Sequence, residues 1–221
     1  MDIEQARFNM IEQQIRPWDV LDVDVLQVIE DTPRELFMPT QHRKLAFSDL
    51  EIPLEHHQQM MAPKLEARLL QALEIQENDE ILEIGTGSGF VTACLAKLGK
   101  HVDSVEYYED LSHHASETLQ QQDICNINLK IGDILDTGFF SNQINKKYDA
   151  IAITASMPAY NDMFEHLLKA NGRMFAVTGK APVMQAKIIT RIDNHGLNQL
   201  NLFETDVPPL IGMSAPQVFE L

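Results

Sequence analysis

Apolar and polar positions along this chain follow two rhythms. Up to about residue 76, apolar residues recur at helical spacing in short, interrupted stretches; from residue 79, short apolar runs alternate with amphipathic segments at a regular beat. Ile3, Ala6, Met10 and Ile11 share roughly one face of a helix expected over residues 2–16. Arg16-Pro17-Trp18 ends it, because the residue before a proline is pushed out of the helical region. Asp22 is a cap for a second helix, Val23 to Glu30. Pro33-Arg34-Glu35-Leu36-Phe37 reads as a short helical turn, and the stretch to about Met61 as irregular and rich in His and Gln. Pro63 suits the first turn of a helix running to about Leu73.

The regular part predicts strand 80–84, helix 89–98, strand 101–106 and helix 109–121. Leu129 to Ile131 is a brief strand, and Tyr148 to Thr154 a strand of the fully buried type. A helix over 159–169 is expected next, stopped by Ala170-Asn171-Gly172, then a strand from Arg173 to Thr178. Ile188, Thr190 and Ile192 alternate, a turn falls at Asn194-His195-Gly196, and Leu200 and Leu202 alternate again, as in an antiparallel hairpin at a sheet edge. The sum is an α/β fold: a doubly wound, mostly parallel, Rossmann-like sheet with an N-terminal helical extension and an antiparallel C-terminal edge. We expect one domain over residues 1–221, with 1–76 as the helical, substrate-side extension and 77–221 as the cofactor-binding core.

The candidate chemistry sits where the second rhythm begins. The run Glu80-Ile81-Leu82-Glu83-Ile84 ends in Gly85-Thr86-Gly87-Ser88-Gly89, and Glu106 closes the next apolar run. Glycines there let the chain turn sharply and let a ligand approach closely, and an acid about twenty residues on can grip a ribose diol. A dinucleotide fingerprint, G-x-G-x-x-G, needs glycine at position 90, which holds Phe90. The G-x-G-x-G form preceded by Glu83 resembles motif I of class I S-adenosyl-L-methionine (SAM) methyltransferases. That resemblance implies Glu83, Gly85, Thr86, Gly87 and Gly89 around the aminoacyl end of SAM and Glu106 at its ribose. Asp133, after the third strand, matches where such enzymes bind the adenine amine. Ser88 is read either as a donor to the cofactor or as a cap of the following helix.

Composition narrows the class. With 221 residues, 44% of them apolar, the chain can bury a sizeable core. No window reaches the roughly eighteen apolar residues of a membrane helix, and Met1-Asp2-Ile3-Glu4-Gln5 lacks the layout of a signal peptide. Cys94 and Cys125 have no CxxC partner and are expected to be inert and partly buried; together these features point to a cytoplasmic protein. A formal charge of −16 argues against nucleic acid as a partner, and Arg43-Lys44 is the densest basic group. The neighbours His56 and His57 point different ways and have no companion ligands, so no metal is expected.

The flanks carry a more specific likeness. Val28 to Pro39, with Pro33-Arg34-Glu35-Leu36-Phe37 at its centre, resembles the N-terminal segment of protein-L-isoaspartate (D-aspartate) O-methyltransferases. Leu45-Ala46-Phe47-Ser48-Asp49, Ile52-Pro53-Leu54, Asp149 to Pro158, Asn171-Gly172-Arg173 and Val207 to Gly212 are similar to later parts of that family. Where the family reads roughly Gly-His-Gly-Gln-Thr-Ile-Ser-x-Pro, this chain reads Glu55-His56-His57-Gln58-Gln59-Met60-Met61-Ala62-Pro63. His56, Gln58 and Pro63 agree; Gln59 and Met61 stand at the family's active-site Thr and Ser, whose Ser hydroxyl engages the substrate carboxyl. The resemblance implies a SAM-dependent carboxyl O-methyltransferase acting on isoaspartyl residues of damaged proteins or peptides, with Gln59, Met61 and His56 on the acceptor side. Two alternatives stay open: a weak or inactive SAM-binding relative, and a methyltransferase for another carboxylate. Oligomeric state is left open as well.

Overall fold

The computed structural model of the protein describes residues 2–144, 146–192 and 196–213. Helix α1 (Ile3–Met10) starts at Asp2, whose carboxylate accepts the Gln5 N–H at 3.2 Å. It runs on through a wider turn over Ile11–Ile15 and stops in the tight turn Arg16–Trp18, where Pro17 sits. Asp22 caps α2 (Val23–Asp31) by accepting from the N–H groups of Asp24 and Val25. The turn Arg34–Phe37 falls where the pattern put it. The stretch expected to be irregular holds another helical turn, Thr40–Leu45, and a two-rung hairpin of β1 (Ile52–Pro53) and β2 (Gln59–Met60). Helix α3 (Pro63–Leu73) follows, with proline in its first turn.

The α/β core then runs β3 (Glu80–Ile84), α4 (Phe90–Leu98), β4 (His101–Glu106), α5 (Glu109–Gln121), β5 (Ile127–Ile131), α6 (Thr137–Gln143), β6 (Tyr148–Met157), β7 (Leu168–Lys180), β8 (Val183–Ile192) and β9 (Gly196–Thr205). The seven long strands form one sheet in the order β5-β4-β3-β6-β7-β8-β9. Pairing is parallel from β5 to β7 and antiparallel at β7–β8 and β8–β9. The C-terminal hairpin is therefore present; its expected turn residues Asn194 and His195 lie outside the described residues.

Both sheet faces are covered, which is why β6 and β7 carry buried apolar residues on both. Ala150 and Ala152 of β6 join a core with Met10, Leu69, Leu70 and Phe90, so the N-terminal helices pack on that face. Ile151 and Ile153 point the other way, toward Ile134, Phe164 and Leu167. The chain crosses from β3 toward β5 on one side and returns through β6 to the other, making the C-terminal ends of β3 and β6 a topological switch point. Among the described residues no helix is long and apolar enough to cross a membrane.

Two expectations need correction. No helix spans 159–169: Asn161 caps only a tight turn, Asp162–Leu167, and β7 begins at Leu168, paired with Tyr148. Asn171 does adopt a left-handed φ of 61°, but inside β7, where the pairing with β6 shifts register. An Asn-Gly pair marks a strand irregularity as well as a helix stop, and tertiary pairing decided between them. Cys125 is exposed rather than partly buried, while Cys94 is fully buried and burial pushes its thiol up to about 12.

Candidate functional site

The register of β3 on β4 builds the heart of the site. Ile84 pairs with Val105, and the Gly85 N–H donates to the Val105 carbonyl at 2.8 Å. The glycine turn and Glu106 therefore emerge side by side. Gly85 has φ +96°, and a Cβ there would collide with Oγ1 of Thr154, which donates toward the Gly85 carbonyl at 2.7 Å. Gly87, at φ +52°, offers its N–H to Glu106 Oε2 at 2.9 Å, and Tyr108 donates to Glu106 Oε1 at 3.0 Å. The acid at the end of β4 is thus 5% exposed and held by two backbone donors, each oxygen keeping lone-pair capacity for a ligand hydroxyl.

These groups open onto one cleft beside the glycine turn. The loop Gly85–Ser88 lines it, Glu106 and Asp133 supply carboxylates, and Gln59 and Met61 form another part of its wall. Asp133 Oδ1 accepts the Leu135 N–H at 2.8 Å; Oδ2 takes no bond among the described residues. Ser88 Oγ accepts the Phe90 N–H at 3.3 Å, but the cap position of α4 is Gly89 and no side chain caps that helix. Gln59 lines the cleft and makes no side-chain hydrogen bond among the described residues.

Three candidates stand elsewhere. Gly89 is the cap residue just before α4, close against Ala115. Glu83 is fully buried behind the loop, where its Oε2 accepts from Thr92 and from Ser104, the latter at 2.6 Å, while Oε1 has no partner. Burial pushes its carboxyl up to about 8, with nearby Glu106 adding to the rise and the two hydroxyls opposing it. Ser104 also meets Thr86 Oγ1 at 2.6 Å, so Glu83 touches the cleft only through a hydroxyl chain. His56 lies on the hairpin tip: its ring stacks on Tyr108 at 3.9 Å and its Nε2 meets Asp110 at 2.7 Å. Asp110 is held below the usual carboxylate range chiefly by that hydrogen bond. Among the described residues no cluster of metal-ligating side chains occurs.

Several lining residues were not singled out from the sequence. Tyr107 and Thr154 border the loop, and Val207–Ile211 closes one side. That stretch is laced to β6 by Ser156, whose N–H and Oγ–H donate to the carbonyls of Pro208 (2.8 Å) and Val207 (2.6 Å). Glu66 of α3 also reaches the cleft, its carboxyl pushed up to about 8 by burial against the pull of Arg34. Only the likeness of Val207–Gly212 to a known C-terminal stretch hinted at that wall; nothing local marked Glu66.

Residues 5–212 match the family described as protein-L-isoaspartate(D-aspartate) O-methyltransferase (PCMT). The chain is 33% identical over 193 residues to the protein-L-isoaspartate O-methyltransferase of Opitutus terrae, covering 85% of this chain and 81% of that one. It is 31% identical over 213 residues to the Maricaulis maris enzyme of the same name, covering 96% and 97%. Among solved structures, a Plasmodium falciparum protein named as a protein-L-isoaspartate O-methyltransferase, in complex with S-adenosyl-L-homocysteine, superposes with a TM-score of 0.78 at 19% identity, covering 95% of this chain and 98% of that one. At that identity the match speaks for the fold.

Proposed function

The chain belongs to the protein-L-isoaspartate(D-aspartate) O-methyltransferase family, and from that premise we propose that it transfers the methyl group of SAM to the carboxyl of isoaspartyl residues in damaged proteins and peptides. One observation carries the reading: the glycine turn, Glu106, Asp133 and the Gln59–Met61 wall converge on one cleft at the switch point of the sheet.

The cleft fits the cofactor. Loop Gly85–Ser88 leaves room for close approach, Glu106 would hold the ribose hydroxyls, and Asp133 Oδ2 an exocyclic amine. When bound, SAM supplies a methyl group activated by a sulfonium charge. The protein's own work is placement. A carboxylate is already ionised at neutral pH, so no general base is needed; holding it aligned contributes on the order of 7–11 kcal/mol. Met61 has no hydroxyl to orient it, and His56 is engaged with Tyr108 and Asp110. Gln58, on the same segment, already donates to the His56 carbonyl, which leaves Gln59 to donate to the acceptor. Met60 and Met61, both nearly buried, keep water from the reacting end.

The same substitutions favour slow turnover. Losing one hydrogen bond to a charged group costs about 1.5–3 kcal/mol, or roughly tenfold to a few hundredfold in rate. The free thiols of Cys94 and Cys125 support a cytoplasmic setting. Labelled SAM and an L-isoaspartyl peptide test the proposal. Methyl ester formation above an aspartyl control is expected, rising with Gln59→Thr plus Met61→Ser; an inert wild type that still binds SAM would reduce the protein to a non-catalytic relative.

A further inference from the structure

We propose that Arg34 is a positioning residue for methyl transfer: its buried guanidinium fixes the acceptor wall at Met61 relative to the helix that carries the glycine loop. The inference rests on the reading above for which wall faces the acceptor.

Arg34, in the short turn Arg34–Phe37, is 1% exposed, and each of its three guanidinium nitrogens bonds a different part of the chain. Nη2 donates to the Met61 carbonyl at 2.7 Å, Nε to the Ala46 carbonyl at 3.0 Å, and Nη1 pairs with the Glu66 carboxyl. The guanidinium plane lies over the Phe90 ring, 5.0 Å from its centre, and Phe37 meets that ring edge-on. Phe90 is the residue after Gly89 and opens α4. One side chain therefore joins the acceptor wall, through Met61, to the cofactor loop, through Phe90 and α4. Glu66, the ion partner, lines the cleft itself.

The chemistry requires arginine. A planar fork with five donors can bind a carboxylate and two carbonyls while stacking on an aromatic face; an ammonium can do one or two of these. If stability alone were at stake, an apolar side chain of similar size would serve, since a buried ion pair often adds little net stability. What apolar packing lacks is a donor aimed at the Met61 carbonyl. The wall there has no other anchor of that kind among the described hydrogen bonds.

Arg34→Met and Arg34→Lys in the full chain, with wild type beside them, test this. Amide exchange of residues 54–61 in Arg34→Met should accelerate about tenfold or more while residues 80–98 keep their protection. Affinity for S-adenosyl-L-homocysteine should stay within about threefold of wild type, and kcat on the isoaspartyl peptide should fall about tenfold with cofactor KM unchanged. Arg34→Lys should restore part of the kcat. Unchanged exchange at 54–61, or protection and cofactor affinity lost together across the fold, would overturn the proposal. Should Arg34→Met fail to fold, Arg34→Lys carries the same test, with intermediate effects. A wild type that leaves isoaspartyl peptides untouched, with the exchange contrast present, would defeat the assigned reaction and leave the anchoring role standing.

Discussion

Glu106 accepts the backbone N–H of Gly87 at 2.9 Å, so the acid at the end of one strand holds the glycine turn at the end of its neighbour. The twenty residues between Gly85 and Glu106 are what α4 and one parallel rung require, since Ile84 pairs with Val105. The acid shapes the loop before any ligand arrives.

Removing it should therefore weaken cofactor binding twice over. Glu106→Ala loses the ribose acceptor and leaves the Gly87 and Tyr108 N–H groups without theirs. The loss expected is about 1.5–3 kcal/mol, or roughly tenfold to a hundredfold in affinity for S-adenosyl-L-homocysteine. Glu106→Gln, which keeps one acceptor oxygen, should fall between. Calorimetric affinities for the variants within twofold of wild type would remove Glu106 from the site.

Gly85 and Thr154 should behave as a coupled pair. A methyl group at Gly85 meets Thr154 Oγ1 and also forces a side chain into φ +96°. Gly85→Ala should cost about 1–3 kcal/mol of stability from backbone strain alone, with the collision added. Thr154→Ala relieves only the collision, so the double variant should recover at least about 0.5 kcal/mol relative to additivity. Urea unfolding of the four proteins gives the coupling; strict additivity would mean the loop yields freely.

His57 occupies a left-handed position, φ +58°, where the family pattern has glycine. A side chain there is strained by roughly 1–2 kcal/mol, offset in part by the greater freedom of an unfolded glycine. His57 is exposed, so little else is lost. His57→Gly should stabilise by about 1 kcal/mol and raise Tm by roughly 2–4 °C. A calorimetric scan showing no rise would mean that the ring makes compensating contacts.

Local pattern made the sheet legible because parallel central strands are apolar on both faces and each glycine or cap sits beside the element it ends. Strand β3, helix α3 and the Asp22 cap were all readable that way. Helix α6 was not: Thr137 to Gln143 includes Gly138 and lacks an apolar stripe, and it depends on the Asp136 cap together with partly buried Phe139 and Phe140 packed on the core. The contacts that hold the acceptor side of the cleft escaped for a different reason. Arg34 finds its partners 12, 27 and 32 residues away, and Ser156 reaches Val207 across 51. No window of sequence contains those pairings. The Pro-Arg-Glu-Leu-Phe likeness flagged the segment without saying what its arginine touches.

Glu83 should leave a signature in the pH dependence of stability. Its carboxyl titrates near 8 in the fold, chiefly because it is buried, and near the ordinary carboxylate value of 4.5 when unfolded. Between those values the native state binds more protons than the unfolded state, so stability falls as pH rises from about 4.5 to about 8. Glu80 works in the other direction and in another window: ion-paired with Lys100 and Lys146, it titrates near 2, so its contribution is present above 4.5 and lost as pH falls toward 2. Glu83→Gln cannot ionise, and its carbonyl can still accept from Thr92 and Ser104. It should cost about 1–3 kcal/mol at pH 5, because its amide N–H groups replace an unpartnered oxygen. That deficit should shrink or reverse by pH 8, where the wild type carries a buried charge. Urea midpoints of both proteins across pH 5 to 8 measure it. Parallel curves would mean that Glu83 does not change its protonation between pH 5 and 8.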